Sequence, residues 1–372
     1  MKFHNPYNVI LALTVILGAC SSGPLAENTA ATTYPTPLAT HSPSPSATDS
    51  TTAVPWNLEA LGQIVYQTPY EFGNSRTEIL IMDADGSIQR PLRTLDEDTY
   101  EEIHLAWSPD GGEIAFNFHG DIYIMSADGS ELRNFTDSQS YDDSPAWSPD
   151  GQYLAYASTQ AGVLHPSGQA LFVDIYTIRI DGSDPTRLTS SDRYCSNPAW
   201  SPSGEFIAYD CLLAESSEIY IVSATGAGQG IPSANIDGYH HHPAWSPDGR
   251  SIAFTSSTLN GWLGISIMEP DGSNVREINT SASAPTWSPD SRFLAMNCAS
   301  WDGSICIFEV DTGELRRLDV RGSNPAWSPA PAQAATSHPD FSLGWSRLLA
   351  GEVYQVSAVI AGDNYWLEYS AP

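Results

Sequence analysis

Tyr239-His240-His241-His242 sets three imidazoles in a row, and imidazole nitrogen is a common ligand for zinc and related ions. On an extended strand successive side chains alternate, so His240 and His242 point one way and His241 the other. His104 is a second candidate, standing three residues before Trp107 just as His242 stands three before Trp245. The cysteines at 195, 211, 298 and 306 are the other reactive set, and four cysteines allow three pairings. Cys195 and Cys211 are symmetric about Ser203, and Cys298 and Cys306 about Asp302. Opposed residues on antiparallel strands lie close to disulfide range. The expected bridges are therefore Cys195–Cys211 and Cys298–Cys306. No Ser/His/Asp set is singled out by spacing, so no catalytic residue is expected.

The elements that must position these groups are repeats. Trp-Ser-Pro-Asp-Gly or a close variant starts at Trp107, Trp147, Trp200, Trp245, Trp287 and Trp327, at spacings of 40, 53, 45, 42 and 40 residues. After each of the first five comes a β pattern such as "EIAFNF" or "FIAYDC", and then a second such as "DIYIM" or "EIYIV". A tight turn of the Asp-Gly-Ser kind and a short polar strand complete the unit. Alternating β-branched and aromatic residues bounded by such turns are hairpin signals. A four-stranded unit of about 40 residues is the blade of a β-propeller.

The sixth copy, "NPAWSPA", has no strands after it, while "GQIVYQT", "EILIMDADGS" and "RPLRTL" near residue 62 have no first strand before them. Joining the two makes six complete blades and removes two exposed sheet edges. The expected fold is all-β: a six-bladed propeller of four-stranded antiparallel blades over residues 56–330, closed by a C-terminal strand that completes blade one. Residues 331–372 are read as a β extension, a hairpin packed on the propeller.

The residues three before each tryptophan are His104, Ser144, Asn197, His242, Ala284 and Asn324, and they should ring the mouth of the central channel. His104 and His242 then fall in blades two and five, on opposite sides of the pore. That separation is too great for one ion at ligand distances of about 2 Å. They are read as polar lining, with no metal and no cofactor.

Strand order divides the loops between two faces. The Ser-Pro-Asp-Gly and Asp-Gly-Ser turns share one and are stereotyped. The variable connections share the other, including "QTPYEFGNSRT", "TQAGVLHPSGQAL", "TLNGWLG" and "DGYHHHP". Variable loops on a rigid scaffold are where binding resides. The candidate ligand-binding face carries Tyr70, Phe72, Asp142, Asp143, Arg193, Tyr194, Tyr239, His240, His242, Trp262 and Trp301. An aromatic and acidic rim of this kind suits a protein, peptide or glycan.

Six-fold recurrence of W-S-P-D-G with I-Y-x-M/I resembles the propeller repeat of the Tol biopolymer-transport family over residues 62–330. The resemblance implies an extracytoplasmic partner-binding propeller. The expected role is a monomeric, membrane-tethered scaffold that binds a protein or envelope polymer. The alternative is a carbohydrate-active lyase or hydrolase with a metal at the channel mouth, which that repeat also serves.

At the N-terminus, an 11-residue apolar run, Val9 to Ala19, is too short to span a bilayer, which takes about 20 residues. It ends in Leu17-Gly18-Ala19-Cys20, which resembles a bacterial lipobox. The resemblance implies removal of residues 1–19 and lipidation of Cys20, placing the protein on the outer side of a bacterial membrane. Residues 20–55 are rich in Ser, Thr, Pro and Ala and read as a disordered tether. With 44 acidic against 15 basic residues the formal charge is −29. Such a polyanion repels phosphate backbones, so no nucleic-acid partner is expected.

Overall fold

A computed structural model describes residues 56–68, 76–95, 102–159, 173–190, 193–213, 216–226, 231–232, 238–257, 263–278, 281–298 and 303–329, together with strands Gln355–Ala361 and Asn364–Ser370. Cys20, Tyr70, Phe72, Trp262 and Trp301 lie outside these residues, as do the signal peptide and the tether. The chain divides into two units, Met1–Ala330 and Pro331–Pro372. The second contains an antiparallel hairpin in which Ala361 faces Asn364.

Among the described residues the first unit is all-β apart from one turn of 3-10 helix at Leu58–Leu61. Its strands group by fours, each blade a meander that starts at the channel. The six inner strands are Ser323–Trp327, Leu105–Trp107, Asp142–Trp147, Tyr194–Trp200, Tyr239–Trp245 and Ala282–Trp287. Ser323–Trp327 pairs antiparallel with Gln63–Gln67, setting Trp327 opposite Ile64 and Ala326 opposite Val65. The last inner strand thus completes the sheet of the first blade, and the six inner strands touch one another in cyclic order.

Burial follows from this stacking. Second and third strands are covered on both sides by neighbouring blades, so Glu113–Phe118 and Asp121–Ser126 are almost wholly buried. Their near-continuous apolar runs are what two covered faces require. The interblade core of blades one and two, for example, joins Val65, Ile79 and Leu95 to Ile114, Phe116 and Met125. The outermost strands Arg133–Asn134 and Thr186–Arg187 are two residues long and exposed. Short charged edges of this kind discourage pairing between molecules.

The repeated phrase works between blades, not only within them. The indole Nε1 of Trp107 donates to the carbonyl of Ala326, Trp200 to Ala146 and Trp287 to Ala244, each in the preceding blade. Trp327 donates instead to Leu61, at the head of the first blade. The prolines of four phrases also cover the glycine of the next copy: Pro329 faces Gly111, Pro109 faces Gly151, Pro149 faces Gly204 and Pro202 faces Gly249. Within the turn, Ser108 Oγ donates to Asp110 Oδ1 at 2.6 Å while accepting from the amide of Glu113. The sixth copy keeps Trp327, which packs in a core shared with blade six, Ser328, which accepts from the Gln63 amide of its own blade, and Pro329, which covers Gly111 of blade two. It lacks Asp-Gly because no second strand follows it.

Both disulfides are present, Cys195–Cys211 and Cys298–Cys306. Cys195 lies directly opposite Cys211, as the symmetry predicts. Cys306 faces Met296, so its bridge to Cys298 is diagonal across the hairpin.

Candidate functional site at the channel mouth

The inner strands are not regular where they line the channel. Ser144, Asn197, His242, Ala284 and Asn324 all adopt left-handed backbone, with φ of 51–52°. The ladder to the second strand slips there in every case. These are β-bulges, each followed by a proline, and they release backbone donors from the ladder. At three of the five, a polar side chain on the second strand of the preceding blade collects the freed donor. Asp210 Oδ1 accepts from the amide of His242, Thr255 Oγ1 from Ala284 and Asn297 Oδ1 from Asn324. Gln67 Oε1 accepts likewise from Ile103, next to His104. The result is a buried polar girdle around a cavity of about 160 Å³ lined from all six blades.

His104 departs from this pattern. Leu105 follows it in place of proline, and His104 is not among the left-handed residues. Its amide bonds Asn117 Oδ1 within its own blade, and its Nδ1 lies 2.9 Å from Asp143 Oδ1 in the next. Burial disfavours the imidazolium, but the charge and hydrogen bond of Asp143, with help from Glu102 and Asp210, raise its pKa to about 9.

The His104 and His242 rings are 5.8 Å apart. This corrects the sequence expectation that they are too far apart to share an ion. Two long side chains from opposite blades reach far into a channel this narrow, and they meet. Burial first, then the charge of His104, depress the His242 pKa to about 4. Its Nδ1 is buried and has no hydrogen-bond partner. Glu102, two residues before His104, completes the group, and its Oε1 accepts from Asn324 Nδ2 at 3.3 Å.

The bulge also corrects the alternation expected for the histidine run. His240 is 2% exposed and sits edge-on to Phe254, so it is core and not part of a ligand face. His241 stacks on Tyr239 and approaches Asp210 Oδ2 at 3.7 Å. Asp142 is likewise fully buried, accepting from Ser158 and Ser138 hydroxyls, and burial raises its pKa. Its neighbour Asp143 is buried as the partner of His104. Arg193 is exposed and donates to the Tyr220 hydroxyl at 2.8 Å. Tyr194 is half-buried, and burial together with Asp143, Asp210 and Glu102 pushes its phenol pKa upward. Of the predicted face residues, Asp143, Tyr194 and His242 therefore converge on the mouth. Glu102 and Asp210 belong with them but were not singled out from sequence. Asp210 was detectable: it falls ten residues after Trp200, where blades two, five and six carry Asn117, Thr255 and Asn297 and blade three Ala157.

The model of the TolB beta propeller domain matches residues 63–207 and 165–340. The chain belongs to this family. A Tol-Pal system protein TolB from Desulfosudis oleivorans is 33% identical over 117 residues, 30% of this chain and 24% of that protein. A protein TolB homolog from Chlorobium luteolum is 32% identical over 186 residues, 41% of this chain and 42% of the other. The chain thus spans less than half the length of these TolB relatives. Among solved structures, TolB from Acinetobacter baumannii aligns with a TM-score of 0.61 at 20% identity, covering 73% of this chain and 67% of that one. A putative TolB from Agrobacterium tumefaciens gives 0.55 at 20% identity, covering 72% and 93%. These structures establish the shared propeller fold.

Proposed function

We propose that this TolB-family propeller is an extracytoplasmic scaffold that binds a protein or envelope polymer through its mouth face. The observation that carries the reading is the division of labour between the two faces. One is a stereotyped ring of turns, in which four of the six prolines cover the glycine of the next copy. The other gathers the connections that differ in length and sequence, and its channel mouth holds Glu102, His104, Asp143, Asp210 and His242. Loops that vary on a rigid ring bind without perturbing the scaffold. The relatives named as Tol-Pal system proteins support a location outside the cytoplasm, and two disulfides suit an oxidising compartment. Cys20 is the lipid attachment point in this reading, and residues 20–55 are the tether.

The test is cross-linked capture from intact envelopes, with Trp262→Ala and Trp301→Ala beside the unmodified protein. A partner recovered with the unmodified protein and reduced at least tenfold with either variant supports the reading. Equal recovery from all three refutes it. Cys20→Ser separately tests the anchor: the protein should move from the membrane to the soluble fraction.

A further inference from the structure

The channel mouth contains donor atoms that partner binding does not require. A carboxylate oxygen of Glu102 and one ring nitrogen each from His104 and His242 lie within 4.8 Å of one another. We propose that these three side chains form a binding site for a first-row divalent cation, with zinc as the representative ion. Two donors on a tetrahedral zinc stand about 3.4 Å apart, given bonds of about 2.1 Å, so a pair at the 4.8 Å limit closes when each side chain moves by about 0.7 Å. Side-chain rotation of less than roughly an ångström therefore closes the group around an ion.

Three independent features point the same way. The buried Nδ1 of His242 lacks any hydrogen-bond partner, a costly state for a polar atom, and a cation supplies the missing contact. The Nδ1 of His104 is occupied by Asp143 at 2.9 Å, which leaves Nε2 as its coordinating nitrogen. A carboxylate behind a ligating histidine is the arrangement that orients the ring and raises its basicity. Glu102 is itself steadied by Asn324. Two imidazoles and one carboxylate suit zinc and its neighbours better than calcium or magnesium, which favour oxygen. Three protein ligands also leave a fourth position, directed to the cavity where Ser144 and Asn197 lie. The ligands come from the connection into blade two and from blade five, so an ion here would tie opposite sides of the ring. The inference does not depend on the partner-binding reading.

The experiment is calorimetric titration of zinc chloride into chelator-treated, tag-free mature protein, with Glu102→Gln, His104→Ala, His242→Ala, Asp143→Asn and His241→Ala in parallel. The expected result is one ion per chain at micromolar affinity or tighter. His104→Ala and His242→Ala should weaken binding at least 100-fold. Asp143→Asn, which loses only the orienting carboxylate, should weaken it 10- to 100-fold. His241→Ala should stay within threefold, because the site spans the ring and is not the local histidine run. Circular dichroism checks each fold, and Glu102→Gln, which keeps its bond to Asn324, serves if a histidine variant unfolds. No stoichiometric zinc uptake by the unmodified protein overturns the proposal. So does undiminished uptake by folded His104, His242 and Glu102 variants, which would place the ion on the acidic surface.

Discussion

Pro109 of blade two lies over Gly151 of blade three, so that a β-carbon on Gly151 would stand 3.3 Å from the proline Cγ. Gly151 also has a φ of 68°, where a side chain costs about 1 kcal/mol or more. Gly151→Ala should therefore destabilise the propeller by about 1–2 kcal/mol, read as a lower denaturation midpoint. The ring contains its own control. Ser291 occupies the equivalent position in blade six with a φ of 61°, and its hydroxyl accepts from the Asp248 amide at 3.0 Å. Gly151→Ser should accordingly be milder than Gly151→Val.

The girdle makes a sharper claim about Thr255. Its hydroxyl collects the bulge amide of Ala284 at 2.9 Å from a buried position. Thr255→Val keeps the shape and removes the acceptor, leaving a donor unpaired at a cost of about 1–3 kcal/mol. Equilibrium unfolding should show that loss, with amide exchange at Ala284 accelerated more than at other channel residues.

Much of this fold was legible in the sequence because the repeat is written in side chains that face neighbouring blades. Trp327 gave the seam, since a tryptophan phrase with no strands after it needs a partner elsewhere. Cys195 and Cys211 could be paired from hairpin symmetry because the bulge between Ser196 and Ala199 shifts the pairing by a single residue and leaves the two cysteines opposite each other. The mouth was less legible. Alternation assigns His240 and His242 to one face, but a left-handed residue before Pro243 breaks the period. The proline that follows four other bulge residues was the available signal, and Leu105 after His104 marked the exception. The approach of His104 to His242 depends on pore radius and side-chain reach, which spacing along the chain does not encode.

The two disulfides should not be equal. Each is expected to contribute about 2–4 kcal/mol by restricting the unfolded chain. The bridges span separations of 16 and 8 residues, and a doubling of loop length is worth about 0.6 kcal/mol. The double variant Cys195→Ser/Cys211→Ser should thus melt below Cys298→Ser/Cys306→Ser under non-reducing conditions.

Acid should weaken the ring through its turns. The Ser108 and Ser148 hydroxyls hold Asp110 and Asp150 below the usual carboxylate range. At Asp248 burial alone would raise the pKa, but Ser246 and the backbone bring it down. A carboxylate with a depressed folded pKa stabilises the protein above its unfolded value, near 4, and that contribution is lost as pH falls through the folded value. Asp142, whose pKa is raised, acts in the opposite sense but is one group against three. Stability should therefore decline between about pH 4 and pH 2. Ser108→Ala and Ser148→Ala together should flatten the decline, as measured by urea midpoints across that range.

The central claim is that partners meet the mouth face and not the face of stereotyped turns. A photo-cross-linking residue placed at Arg193 on the mouth face, or at Asp181 or Asp271 in the exposed turns, reads this directly when irradiated in intact envelopes. The account predicts a discrete adduct from position 193 and none from positions 181 and 271. Adducts from the turn positions with none from position 193 would contradict it.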